Sequence, residues 1–245
     1  MPFFLISVLL QVLTIIHIIR SGRDRIWIFI VALLPMVGML AYALAELVPE
    51  IMGGRAARNM RQGTLKRLDP QRDLRARLLA LEGADTVENR RLAAEEYLKL
   101  DAPEEALALY RRCLAGVHAD DSALLLGAAR AAQAAGYPAE VLDHLDHLRA
   151  ANPSFQSAEA HLLYAKALEA LQRDEDAARE YAALVTYATG EEARCRYGLL
   201  LQRQGDQAGA DALFAEILRR AKHGNGHYRS REARWIELAQ QHGRA

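Results

Sequence analysis

The residues best placed to do chemistry are the histidines. His144 and His147 in Asp143-His144-Leu145-Asp146-His147 sit three apart, which puts both imidazoles on one helical face, where they could in principle grip a metal. The segment reads as the outward side of a helix, so no metal is expected there. His223-Gly224-Asn225-Gly226-His227 is glycine-rich and reads as a loop. The acid pairs Glu95-Glu96, Glu104-Glu105 and Glu191-Glu192 read as helix-start or solvated-face charges. Cys113 and Cys195 stand alone, without CxxC or paired spacing, so neither a zinc ribbon nor a disulfide framework is implied. No GxSxG, HExxH or GxxxxGK[ST] occurs. The sequence therefore supplies no catalytic residue, no metal site and no cofactor site, and the reading is a non-enzymatic protein.

What organises the chain is charge. The net charge is zero, but residues 1–67 carry eight Lys/Arg against Asp24, Glu46 and Glu50, a net +5 that leaves −5 for the remainder. A basic leading segment before a mildly acidic body argues against a nucleic-acid partner. Arg outnumbers Lys and Ala is abundant, the composition of a GC-rich bacterial genome.

Two apolar runs occupy residues 1–50. The first, Phe3 to Ile19, reaches about 26 Å as a helix against a hydrocarbon core of ~30 Å. The second, Ile26 to Val48, is long enough to span with some tilt. Arg20-Ser21-Gly22-Arg23-Asp24-Arg25 forms a polar turn between them, so a transmembrane helical hairpin is expected. A cleaved signal peptide would start at Arg23 and end near Ala43-Leu44-Ala45, leaving an apolar segment upstream of the signal, which is not how such signals are built. Ser7, Gln11, Thr14 and His17 share one face of the first helix and suit hydrogen bonding to a neighbouring helix, within the hairpin or in a homo-oligomer. Gly38, Ala41 and Ala45 give the second a small-residue face, and Pro35 should kink it.

Trp27, Pro35, Gly38, Tyr42 and Glu46, in that order and spacing, resemble the N-terminal hairpin that precedes phospholipase D-type cardiolipin synthases. The resemblance implies an anchor only. Phospholipase D chemistry needs HxK motifs, and none of the eight His is followed two residues later by Lys.

After the hairpin, 51–69 reads as a basic juxtamembrane linker. Arg55, Arg58, Arg61, Lys66 and Arg67 are candidates for contact with anionic lipid headgroups, and Gly53, Gly54 and Gly63 suggest hinges. The positive-inside bias places the C-terminal body in the cytoplasm, at a bacterial inner membrane.

From 70 to 245 a helical domain is expected, periodic over about residues 87–224. Breaks fall at Asp101, Gly136, Gln172 and Gly205, at spacings of 35, 36 and 33 residues. A period near 34 with these residues resembles the tetratricopeptide repeat (TPR) family. The resemblance rests on Ala93-Ala94 and Ala128-Ala129 and on the large-then-small pairs Tyr164-Ala165 and Tyr197-Gly198. It rests equally on Ala106, Tyr110 and Cys113; Val141, Leu145 and Leu148; Ala177, Tyr181 and Leu184; and Ala210 with Phe214. Asp101 and Gln172 depart from the turn glycine and Val141 from the small alanine. The expected fold class is all-α: the two-helix hairpin, then an α-solenoid of about four helical pairs. Asp69-Pro70 with Leu74, Leu78, Leu79 and Leu81 should form an entry helix, and Trp235, Ile236, Leu238 and Ala239 a capping helix.

The resemblance implies a concave groove lined by the first helix of each pair. Carried over by position, it would present Arg91, Glu95 and Lys99, then Leu126, Arg130 and Gln133, then Leu162, Lys166 and Glu169, then Leu199, Gln202 and Arg203. Mixed charge with scattered Leu suits a protein or peptide ligand. The expected function is a membrane-anchored scaffold or adaptor. The alternative is a regulatory or assembly subunit that contacts a membrane enzyme through the hairpin.

Overall fold

The structure is a computed structural model that describes residues 11–18, 20, 26–34, 37, 41 and 69–243. The chain divides into two compact units, Met1–Arg72 and Asp73–Ala245.

In the first unit, residues 11–18 are helical and α1 covers Ile26–Leu33. The two helical stretches pack together. Ile18 and Val31 are fully buried, with Ile15, Trp27 and Ile28 against them, and Gln11 Nε2 donates to the Val31 carbonyl at 3.0 Å. Gln11 thus makes an interhelical bond of the kind read for that face, while Ser7 lies outside the described residues. Leu13, Phe29, Leu33 and Val37 instead point outward, exposed. Among the described residues no helix is long and apolar enough to cross a membrane. At eight residues α1 reaches only about 12 Å. Most of both expected spans, with Pro35, Gly38 and Tyr42, and the linker cations Arg55, Arg58, Arg61, Lys66 and Arg67, lie outside the described residues.

The second unit is a run of antiparallel helix pairs, with no strand among the described residues. The entry helix α2 (Arg72–Gly83) lays Leu78 and Leu81 on the core. Four pairs follow: α3 (Val87–Lys99) with α4 (Pro103–Cys113), α5 (Ser122–Ala135) with α6 (Pro138–Ala151), α7 (Ala158–Ala170) with α8 (Asp174–Leu184), and α9 (Glu192–Arg203) with α10 (Gln207–His223). A short α11 (Gly226–Arg231) leads to the cap α12 (Ala233–His242). The glycine-rich stretch read as a loop is shorter than expected. His223 ends α10 and His227 lies inside α11, because Asn225 caps the new helix through the Tyr228 N–H at 2.8 Å.

The boundaries follow local chemistry. Thr86, Asp121 and Ser157 accept from the first-turn N–H groups of α3, α5 and α7, and Pro103 and Pro138 open α4 and α6. Within each pair the turn is the same despite its different residues. Asp101, Gly136, Gln172 and Gly205 all take positive φ, at 58°, 77°, 58° and 88°. The next N–H bonds five residues back in every case: Ala102 to Tyr97, Tyr137 to Ala132, Arg173 to Leu168 and Asp206 to Leu201, at 2.9–3.0 Å. The departures at Asp101 and Gln172 are therefore chemical, not conformational. A side chain held in this region is strained, so Gln172→Gly is expected to stabilise by about 0.5–1 kcal/mol. Gly205→Ala should cost about as much or more. Thermal unfolding of the two variants checks the opposite signs.

Packing repeats with the same period. Ala106, Val141, Ala177 and Ala210 are wholly buried, as are Tyr181 and Phe214, with Tyr110 and Leu145 nearly so. Cys113, Leu148, Leu184 and Ile217 complete the next turn. Val141 fits because α5 turns Ala128, Ala129, Ala131 and Ala132 inward. Gly127 is held small by the Tyr110 ring: a Cβ there would lie 2.4 Å from Cε1. Gly198 has the same relation to Phe214, at 2.8 Å. The last pair forms its own cluster, closed by α12 through Trp235, Ile236 and Leu238.

Candidate functional site

The first helices of successive pairs lie beside one another, α5 packing against both α3 and α7. Their exposed stripes form one surface, and its charges pair from helix to helix. Arg130 on α5 grips Glu159 on α7 with two parallel hydrogen bonds. Lys166 on α7 reaches Glu192 on α9 at 3.3 Å, and Arg203 on α9 donates to Glu169 on α7 at 3.0 Å. Arg196 donates to Glu192 at 2.9 Å and lies 3.8 Å from Glu169. Glu169 also accepts the Tyr181 hydroxyl at 2.8 Å, which couples the stripe to the buried core of the third pair.

Four of the expected groove residues meet in one notch of about 760 Å³: Gln133, Lys166, Glu169 and Arg203. Arg196 and Asp174 complete its charged lining. Neither was read from the sequence. Arg196 was within reach, since Glu192, Arg196, Leu199 and Arg203 follow one helical stripe that the choice of Gln202 steps off. Arg91 pairs with Glu88 at 2.7 Å and with Glu95, all within α3. Lys99 pairs with Glu96 at 2.6 Å on the same helix. The leucines are placed inward: Leu126 belongs to the main core, Leu162 packs against it partly buried, and Leu199 packs against the separate cluster of the last pair. Gln202 turns toward the cap, bonded to His242 at 3.0 Å and to Gln207 at 3.4 Å. The stripe thus divides into a first-pair segment around Arg91, a bridge at Arg130, and the notch between α7 and α9.

The electrostatics of the notch follow from that pairing. Burial alone would raise the Glu192 carboxyl, but hydrogen bonds and charge from Arg196 and Lys166 outweigh it and hold Glu192 below its ordinary value. Burial, with Glu95 nearby, pushes the Tyr110 hydroxyl up to about 12, so it stays neutral beside the stripe. Burial likewise pushes the Cys195 thiol up to about 11, and raises Cys113. Both cysteines are buried thiols, placed to pack and not to attack.

The histidine pair separates. His147 bonds to Asp120 at 2.7 Å on the exposed side, while His144 is 3.3 Å from Glu140. The outward reading fails for His144, whose side chain is only 16% exposed, because α6 rotates it into the α4–α6 contact beside the Arg111–Glu140 pair. Desolvation lowers its pKa, opposed by Glu140. Among the described residues no cluster of three metal-type ligands forms.

Glu191 is a larger correction. It stands at the helix start as read, in the N-cap position of α9, but it is completely buried and not solvated. Its carboxylate accepts from Arg194 and from the Tyr228 hydroxyl at 2.6 Å, with Arg220 at 3.5 Å. Its backbone N–H donates to Glu232, itself buried, at 3.0 Å. The cluster fastens α11 and the start of α12 to the last pair, and is structural in placement.

No protein-family model and no curated protein sequence matches the chain. Among solved structures, the chain is similar to a tetratricopeptide repeat protein from Parabacteroides merdae, with 15% identity, a TM-score of 0.53, and coverage of 97% of this chain and 94% of that one. It is similar to a thermophilic TPR protein of Thermus thermophilus, at 20% identity and a TM-score of 0.51, over 73% of this chain and 95% of that one. It is also similar to YrrB, described as a TPR protein with an unusual peptide-binding site, at 17% identity and a TM-score of 0.50, over 69% and 93%. At these identities the likeness establishes the fold. The second unit is an all-α solenoid of TPR type.

Proposed function

We propose that this protein is a non-enzymatic scaffold that binds a protein or peptide partner along the stripe of its first helices. The observation that carries the proposal is the convergence of Gln133, Lys166, Glu169 and Arg203, from three successive pairs, on one open notch with Arg196. Such a surface, charged, continuous and assembled from rigid elements, suits an extended or helical polypeptide. Likeness to YrrB, which is described as peptide-binding, supports the same class of partner.

We further propose that the N-terminal segment anchors this scaffold to a bacterial inner membrane as a helical hairpin, with the solenoid cytoplasmic. The apolar runs 3–19 and 26–48 support this, as do the outward-facing Leu13, Phe29 and Leu33 of the first unit, side chains that suit lipid better than water. Arg55, Arg58, Arg61, Lys66 and Arg67 would then lie against anionic headgroups, each adding about 1 kcal/mol where well placed. Tethering would raise the effective concentration of the stripe for a membrane-associated partner.

The second reading, an assembly subunit that works through the hairpin and its polar Gln11 face, is favoured by the Gln11–Val31 bond, a polar interhelical contact of the kind that could also serve a neighbour. One experiment separates the two. The full-length chain should stay in the membrane pellet after alkaline extraction and, once dissolved in detergent, bring down a partner that is lost when residues 73–243 are deleted. Untruncated chain in the soluble fraction without detergent would overturn the anchor. A partner retained by the hairpin alone would overturn the groove reading in favour of the second.

A further inference from the structure

Six large apolar side chains stand exposed in the described part of the second unit: Leu79, Val117, Tyr137, Phe155, Leu171 and Tyr187. Phe155 and Tyr187 belong together. They wall one cleft of about 560 Å³, floored by Leu145 and Leu148 of α6 and closed by the start of α7. This cleft shares no lining residue with the notch. Its volume lies in the range of specific ligand sites, which typically combine an apolar interior with a few placed polar groups.

No carboxylate lines the cleft itself, whereas Glu169 and Asp174 line the notch, and Glu140 and Asp143 line the cleft beside Tyr137. One acid, Glu180, reaches its rim through Arg149 and His161. The cation on its rim is Arg149. The guanidinium is stacked on the Tyr164 ring, 3.9 Å from the centroid, and its ion pair to Glu180 is long, at 3.5 Å. Stacking fixes the plane of the fork while leaving N–H donors directed at its edge. Glu180 Oε2 also lies 2.6 Å from His161 Nε2, a contact by distance without hydrogen-bond alignment, and His161 Nδ1 meets the Tyr187 hydroxyl at 2.5 Å. An oriented guanidinium beside an apolar cleft with two exposed aromatic walls suits an apolar group with a carboxylate next to it.

We propose that this cleft is a second recognition site, apart from the first-helix stripe. It takes a bulky apolar side chain of a partner polypeptide, with Arg149 engaging the carboxylate of an adjacent acidic residue.

The test is fluorescence anisotropy of labelled pentapeptides, C-terminally amidated and carrying Phe-Glu, Phe-Gln or Ala-Glu at their centre, titrated with the full-length chain. The Phe-Glu peptide is expected to bind, the Phe-Gln peptide about tenfold more weakly, and the Ala-Glu peptide not measurably. Arg149→Gln should reproduce the tenfold loss for Phe-Glu and abolish the preference over Phe-Gln. Phe155→Ser, at a position already 37% exposed, should weaken both Phe peptides alike with unchanged thermal unfolding. Arg219→Glu on α10, which lines neither the cleft nor the notch, should leave the binding of all three peptides unchanged. Equal binding of Phe-Glu and Phe-Gln, full binding by Arg149→Gln, or no binding of any peptide would overturn the proposal. Loss on Lys166→Glu with retention on Arg149→Gln would place the peptide on the stripe, overturning the second site while leaving the scaffold reading intact.

Discussion

Glu191→Ala is expected to cost about 3–5 kcal/mol, because it leaves the Arg194 guanidinium, only 5% exposed, buried without its partner carboxylate. The same change strips acceptors from the Tyr228 hydroxyl and from Arg220. A loss of that size is a large share of a domain's whole stability. In a solenoid the damage should begin locally, since each pair rests only on its neighbours. Hydrogen exchange should therefore show protection lost first in α9 through α12, while α5 and α6 keep theirs. Glu191→Gln keeps an acceptor for Tyr228 but still strands the charge of Arg194, so its loss should be smaller and of the same sign. A cost under about 1 kcal/mol for the alanine would mean that water reaches the cluster.

The second large effect is on binding. Reversing Arg130 and Lys166 together to Glu should reduce partner capture at least about thirtyfold, the consequence of removing even one residue that carries binding energy. Stability should fall only modestly. The Arg130–Glu159 pair is roughly half exposed on both sides, and pairs of that kind contribute at most about 1 kcal/mol. The reversal turns two helix-to-helix attractions into repulsions, Arg130 toward Glu159 and Lys166 toward Glu192, so a modest destabilisation is the internal control that the charges were placed as described. Arg179→Glu on α8, outside the stripe, should leave capture unchanged. Unaltered capture by the double variant would remove the stripe from the function.

The period was legible because it is written in side-chain size. Ala106, Val141, Ala177 and Ala210, and the large residues four positions on, recur wherever the packing needs them, and burial follows. The turns were legible by position and illegible by chemistry. Asp101 and Gln172 adopt the same left-handed conformation as Gly136 and Gly205, held there by the returning hydrogen bond and not by residue type. Glu191 was misread for a different reason. Its partners Arg220, Tyr228 and Glu232 lie 29 to 41 residues away, brought back by the turn after α10, and an acid pair at a helix start looks solvated when only its neighbours are counted. His144 was misread likewise, because the Arg111–Glu140 pair beside it reaches across from α4 and is not visible in the sequence of α6 alone.

The groove was half legible. Helical spacing selects a stripe on each first helix, and that stripe delivered Lys166, Glu169 and Arg203 to one notch. Spacing alone does not say which polar residues turn toward a neighbouring element. Gln202 goes to His242 on the cap, while Arg196 takes the place that Gln202 was expected to fill. The cleft at Phe155 left no periodic mark, since its walls Phe155 and Tyr187 come from two inter-pair connections whose sequences do not repeat.

The most direct test of the first-helix stripe as the binding surface is site-specific photo-crosslinking in intact membranes. A photoreactive residue is placed in the full-length chain at Gln133 or Arg203, and separately at Arg179. The expected result is one and the same partner adduct from both stripe positions and none from Arg179. Adducts of equal yield from all three positions, or from Arg179 alone, would contradict it.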